Sequence, residues 1–348
     1  MTRRIRKSLW STSFQRTLGA LTRATLRSGT RAVAKASATA LRAAVKLPAR
    51  PRKVVAAARS GHWLAGTAIG PAGARRYRLF KPAGARNMAP LPLLVMLHGC
   101  DQDAAGFARS TRLQGLAARE GFMLLFPEQD RFANAQGCWN WFETRSGRAF
   151  TEAASLIAAI DQACELHGAD PARVAIAGMS AGASMAAFVA LHYPDRFQAV
   201  AMHSGIAPGA AHSTATALGA MQGRRTPRSL APTAGLPPLL VIQGTADQIV
   251  RASNGLAAVQ LWADAAGALP VAPRTVQRGA RRTMTLTDFK QRGRVVATLC
   301  EVAGLGHAWS GGPASQPYAD AAGPDASRLI WAFAARQFRL RVQSAAKQ

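Results

Sequence analysis

Ser180 sits in the run Gly178-Met179-Ser180-Ala181-Gly182. A serine hydroxyl is a poor nucleophile at neutral pH, so ester or amide chemistry there needs an imidazole to take its proton and a carboxylate to orient that imidazole. Two residues downstream have the right types. Asp247 lies 67 residues after Ser180, and His307 a further 60 residues on. The order Ser, Asp, His is that of α/β-hydrolases and differs from the other two familiar serine triads. A Gly-x-Ser-x-Gly pattern alone also occurs by chance in ordinary Gly/Ser turns, so the flanking elements must decide.

Those elements have the required form. Arg173–Gly178 carries Val174 and Ile176 and reads as a buried strand, and the Ala-rich run after Gly182 reads as a helix to about residue 192. A sharp strand-to-helix turn exposes the serine, and the helix start supplies unpaired N–H groups where an oxyanion would form. Asp247 follows the apolar strand Leu239–Gln243, and His307 follows the turn Gly304-Leu305-Gly306. The rival acids are weaker: Asp264 falls in a helical run and Asp288 in a strand-like one, while Asp320 comes after His307. Among the other histidines, His167 and His192 fall at helix ends. His203 closes the strand at 197–203, and a satisfied core role is preferred for it over lining the site. The second oxyanion donor in this arrangement comes from the loop after an early strand. His98-Gly99-Cys100 follows the strand at 91–97, so the backbone N–H groups of Cys100 and Ala181 are the candidates.

Further strands are expected at 75–80, 122–126, 274–278, 283–288 and 294–302, with helices at about 104–119, 151–167 and 322–338 and a small-residue loop at 206–235. Strands alternating with helices imply a mainly parallel sheet covered on both faces, here an α/β-hydrolase domain over residues 61–348.

The 348 residues hold 44 Lys and Arg against 17 Asp and Glu, a net charge of +27. Residues 1–100 carry 20 of the bases and no acid, so the charge belongs mostly to the front of the chain. Residues 1–60 read as a basic arm, disordered or folded as amphipathic helices, suited to an anionic lipid surface or a polymer granule. Nucleic-acid binding is disfavoured, since the arm has few aromatics among its bases, with Trp10 and Phe14 near its start, and no recognisable reading module. Arg16 and Arg23 interrupt the only candidate signal core, while Arg3-Arg4 resembles a twin-arginine export signal with a weak apolar stretch behind it. No run of 18 apolar residues is present. Cys100, Cys138, Cys164 and Cys300 allow three pairings, and spacing does not choose among them. None forms a Cys-x-x-Cys pair, so no metal site is expected, and the serine chemistry needs no cofactor.

Four separated segments together resemble the poly(3-hydroxybutyrate) depolymerase family of esterases, which includes feruloyl and acetyl-xylan esterases. They are Leu97-His98-Gly99-Cys100-x-Gln102, Cys138-Trp139-Asn140-Trp141-Phe142, the Ser180 motif, and Gly306-His307-Ala308-Trp309-Ser310-Gly311-Gly312. The resemblance spans roughly residues 65–315. It implies a triad of Ser180, Asp247 and His307, oxyanion donors at Cys100 and Ala181, and a Cys100–Cys138 disulfide. It also implies an ester substrate, poly- or oligomeric 3-hydroxyalkanoate in the first instance, with feruloyl or acetyl-xylan esters as the alternative. Trp139, Trp141 and Trp309 lie in loops flanking the site, where they are expected to line a substrate wall; plain core packing is the alternative. Two departures stand out. Ala183-Ser184 occupies a place where family members often have a second glycine, and the chain stops soon after its last expected helix, where secreted members carry a polymer-binding domain. A non-catalytic granule- or membrane-binding protein is the rival from another class, and a peptidase is a weaker one. A disulfide and the family's habits favour an extracellular or periplasmic location; the lack of an ordinary signal favours a cytoplasmic or granule-associated one.

Overall fold

The computed structural model describes residues 60–84, 89–231 and 235–345. The basic arm read over residues 1–60 therefore lies outside the described residues, apart from Ser60.

The described chain runs through β1 (Gly61–Gly70), β2 (Gly73–Pro82), β3 (Leu91–Leu97), α1 (Ala104–Thr111), α2 (Leu113–Glu120), β4 (Met123–Pro127), α3 (Arg148–His167), β5 (Ala169–Met179), α4 (Ala181–His192), β6 (Ala199–His203) and α5 (Thr214–Met221). It continues through β7 (Leu239–Gly244), α6 (Ser253–Ala266), β8 (Leu269–Pro270), β9 (Arg274–Val276), β10 (Met284–Gln291), β11 (Arg294–Val302), β12 (Trp309–Ser310), β13 (Ala319–Asp320) and α7 (Ala326–Ala345). The main sheet has the order β1-β2-β4-β3-β5-β6-β7-β11-β10-β8, with β9 also paired to β10. Strands β4, β3, β5, β6, β7 and β11 are parallel, and antiparallel hairpins close the two edges.

The central strands are mostly apolar in their buried portions because both faces are covered. Successive side chains point to opposite faces. Leu94, Met96, Leu124, Phe126, Ala175, Ala177, Leu240 and Ile242 share one core with α1, α2 and α7. The alternate residues face α3, α4 and α6, which pack on the other side. Small side chains at Ala175, Ala177, Ala199 and Ala201 leave room for Trp331 and Phe338 of α7, and Trp331 stacks on Phe122 with ring centroids 3.5 Å apart.

Three details differ from the sequence reading. The helix expected over 104–119 is two helices, because Arg112 takes a left-handed conformation with φ 51° and ends the first. The stretch 206–235 contains α5, which is capped by reciprocal Ser213 and Thr216 bonds. Its small residues hide helical periodicity. The β1 strand, at the sheet edge and largely exposed, carries only a weak alternating signal. Among the described residues no helix is long and apolar enough to cross a membrane.

Candidate active site

Parallel strands β5, β6 and β7 end side by side, with Met179, His203 and Ile242 in register. Adjacent strands lie about 4.8 Å apart, so groups at the ends of β5 and β7 stand roughly 10 Å apart and one imidazole can bridge them. Ser180 follows β5 directly with φ 56° and ψ −121°, a conformation that costs a non-glycine residue energy. The turn is held from both sides. The Ser180 N–H donates to His203 O at 2.9 Å, and Ser180 O accepts from the Ser184 N–H at 3.1 Å. The flanking glycines are needed for space: a Cβ at Gly178 would overlap the Gly182 backbone, and one at Gly182 would overlap the carbonyls of Leu97 and His98. The Ala183 methyl faces Gly205, where an added Cβ would come within 2.6 Å of it. Space missing at position 183 is thus supplied at position 205.

Asp247 is buried just past β7. Its Oδ1 accepts the N–H groups of Ile249 (3.0 Å) and Val250 (2.9 Å), and its Oδ2 lies 2.8 Å from His307 Nδ1. Burial alone would raise this carboxyl, but the His307 hydrogen bond and charge, with the two backbone donors, outweigh it and hold Asp247 below the usual carboxylate range. The His307 side chain is only 10% exposed. Its turn crosses β7 at Gly244, where any Cβ would overlap the Leu305 carbonyl. With Nδ1 donating to Asp247, Nε2 is left as the basic nitrogen. Ser180 Oγ makes no hydrogen bond among the described residues, and bonds of this kind tighten when substrate binds.

The loop after β3 abuts the nucleophile: a Cβ on Gly99 would stand 3.5 Å from Ser180 Cβ. The Gly99 N–H is taken by Gln102 Oε1 at 2.9 Å. The Cys100 and Ala181 N–H groups donate to no acceptor among the described residues, so both are free for an oxyanion. A disulfide joins Cys100 to Cys138, the pairing the family resemblance implied, and ties the 138–142 loop to this turn. Cys164 and Cys300 are free thiols, and burial pushes them up to about 11 and about 12.

The tryptophan expectation is corrected. Trp139, Trp141 and Trp309 are all buried. Trp139 donates from Nε1 to His98 O at 3.0 Å and lies under the Arg75 guanidinium; Trp309 packs edge-on against Phe107 and stacks on His203. Trp141 packs edge-on against Phe142. Their burial and packing fit the plain core-packing alternative, with the three rings bracing the two loops. The rival acids are engaged elsewhere: Asp288 with Arg274 and Thr298, Asp320 with Arg282, and Asp264 with Gln260.

His203 takes the satisfied core role expected for it, whereas the network of Arg75, Gln129 and Glu152 escapes sequence reasoning. His203 is fully buried; its Nε2 accepts the Ser310 N–H at 3.1 Å, and its Nδ1 faces Ser204 Oγ at 3.2 Å. Nε2 is therefore unprotonated and Nδ1 carries the proton. Beneath the oxyanion turn, His98 Nε2 accepts the Gln129 N–H at 3.1 Å. Gln129 donates to the buried Glu152 at 2.8 Å, and Glu152 also accepts from the Asn140 side chain (2.6 Å) and backbone (3.0 Å). Buried Arg75 binds Gln129 Oε1 and carries the balancing charge. The signal for Glu152 was its place on the apolar face of α3, between Ala149 and Leu156. Among the described residues no cluster of side chains is able to hold a metal ion.

Residues 75–275 match the family described as Esterase PHB depolymerase. Poly(3-hydroxyalkanoate) depolymerase C of Paucimonas lemoignei is 36% identical over 129 residues, covering 37% of this chain and 31% of that protein. Feruloyl esterase B of Neurospora crassa is 28% identical over 193 residues, covering 50% of this chain and 65% of that protein. The chain thus spans about a third of the one and just under two thirds of the other. Among solved structures, an acetyl xylan esterase from Aspergillus awamori shares the fold with a TM-score of 0.57 at 20% identity, over 71% of this chain and 94% of that one.

Proposed function

The chain belongs to the Esterase PHB depolymerase family, and from that premise we propose that it is a serine carboxylesterase working through an acyl-enzyme. The observation that carries the reading is the 2.8 Å Asp247–His307 bond at the strand ends beside the strained Ser180 turn. Ser180 Oγ attacks the ester carbonyl carbon as His307 Nε2 takes the hydroxyl proton. The Cys100 and Ala181 N–H groups receive the oxyanion. Collapse expels the alcohol, which takes its proton from His307, and leaves Ser180 acylated. Water repeats the sequence, releasing the acid and restoring the serine. Asp247 holds the imidazole tautomer and stabilises its charged form.

The substrate class proposed first is a short 3-hydroxyalkanoate ester, oligomeric or polymeric, supported by the likeness to a depolymerase. A second reading, feruloyl or acetyl-xylan ester hydrolysis, is supported by the likenesses to feruloyl esterase B and to the acetyl xylan esterase fold. The basic segment 1–60 is proposed to hold the enzyme on an anionic membrane or granule surface. Export to an oxidising compartment is proposed on the Cys100–Cys138 disulfide.

Labelling with a fluorophosphonate probe tests the core of this. Wild type should label and Ser180→Ala should not. A panel of 3-hydroxybutyrate oligomers, ethyl ferulate and acetylated xylan then separates the two substrate readings. A folded wild type that never labels would refute the esterase and turn attention to surface binding.

A further inference from the structure

A cleft of about 370 Å³ opens between the β9–β10 connection and the first turns of α7, behind the turn that leads to His307. Four guanidiniums line it, those of Arg278, Arg281, Arg282 and Arg328, over an apolar floor that includes Met284 and Leu329. Their charge is half neutralised. Arg282 pairs with Asp320 at 3.0 Å, and Arg328 pairs at 3.4 Å with Asp325, which also lines the cleft. Arg281 has only the neutral carbonyl of Gly323, at 2.6 Å. Arg278 has no acceptor among the described residues. Two cations are thus left facing a cavity large enough for a small organic molecule.

We propose that this cleft is a second ligand site, distinct from the Ser180 centre, that binds an organic anion with a carboxylate on a short apolar body. A guanidinium presents parallel N–H donors that match a carboxylate, and Arg278 and Arg281, neither of them paired with an acid among the described residues, both line the cleft. The apolar floor favours a ligand with a hydrocarbon body over a small hydrated inorganic anion, which would leave that floor uncovered. The site also adjoins the catalytic turn: Arg282 Nη1 lies 2.8 Å from the place a Cβ on Gly304 would take, three residues before His307. A carboxylic acid is what ester hydrolysis releases, so a product or a free oligomer end has the required chemistry. Only the identification of the anion as a hydrolysis product rests on the esterase reading; the carboxylate site itself does not.

Calorimetric titration of sodium hexanoate into the full-length Ser180→Ala protein tests it, with hexan-1-ol and inorganic phosphate as controls. Hexanoate should bind, and both controls should bind at least about tenfold more weakly. Arg278→Ala breaks no bond within the protein and should weaken hexanoate about tenfold with an unchanged melting temperature; adding Arg281→Ala should abolish binding. Absence of hexanoate binding, or affinity that survives both arginine changes, would overturn the site. Phosphate binding as tightly as hexanoate would overturn the amphipathic ligand class. Ester hydrolysis by the same arginine variants on the wild-type Ser180 background is read separately, so failure here and failure of the esterase reading are distinguishable.

Discussion

His203 Nε2 accepts a hydrogen bond from the Ser310 N–H, 3.1 Å away, so the strand beside the nucleophile is tied to the segment that carries His307. The same histidine accepts the Ser180 N–H on its backbone carbonyl. One residue therefore anchors both ends of the candidate catalytic pair. His203→Ala leaves a buried N–H without a partner and should cost about 1–3 kcal/mol of stability, measured by urea unfolding. Turnover should fall while labelling of Ser180 slows, because the imidazole opposite loses its support.

The acid stability of the protein should report the same residue. Burial first, and then the charge of His307, hold His203 neutral down to about 3 instead of 6.5, with Asp247 opposing. Below pH 6.5 the unfolded chain takes up a proton that the folded chain refuses. Stability from this group is thus fully present above about pH 6.5 and is lost as pH falls towards about 3. The urea midpoint of wild type should drop more steeply between pH 7 and 4 than that of His203→Asn, which has nothing to titrate there. Parallel curves would remove the assignment.

Asp247→Asn tests the orienting role. Asparagine keeps an oxygen for the Ile249 and Val250 N–H groups but offers no carboxylate to His307 Nδ1. The fold should survive while kcat on p-nitrophenyl butyrate falls about 10⁴-fold, since the wrong imidazole tautomer is then favoured. A loss under tenfold would point to another acid.

The candidate site residues were legible because loops at strand ends are marked by punctuation: Gly178 and Gly182 around Ser180, Gly244 before Asp247, Gly304 and Gly306 before His307. Alternating apolar runs and helices conveyed the sheet for the same reason. Tryptophan carries no such mark, since its type is equally suited to a substrate wall and to a brace, and burial decides. The Arg75–Gln129–Glu152 network was invisible for a different reason: its members lie 54 and 23 residues apart and meet only when β2, the end of β4 and α3 pack together.

Glu152→Gln should show what that network is worth. The change removes one of the two carboxylates, Glu152 and Asp130, that offset the buried Arg75 charge, and it makes an amide of the group that accepts from Gln129 and Asn140. Weakening hydrogen bonds to a buried charged group costs about 1.5–3 kcal/mol, and the melting temperature should fall accordingly. A neutral outcome would mean that Arg75 is compensated elsewhere.

Ala183 and Gly205 should behave as a coupled pair. Gly205→Ala alone places a methyl 2.6 Å from Ala183 Cβ, and the tightly packed turn behind Ser180 must shift. The expected cost is about 1–3 kcal/mol, with a fall in turnover because the elbow moves. Adding Ala183→Gly relieves that overlap, at a helix penalty of about 0.5–1 kcal/mol. The double variant should therefore be more stable than Gly205→Ala, with a coupling energy of at least about 0.5 kcal/mol in a double-mutant cycle. Strict additivity would mean that the two positions do not share the space behind the nucleophile.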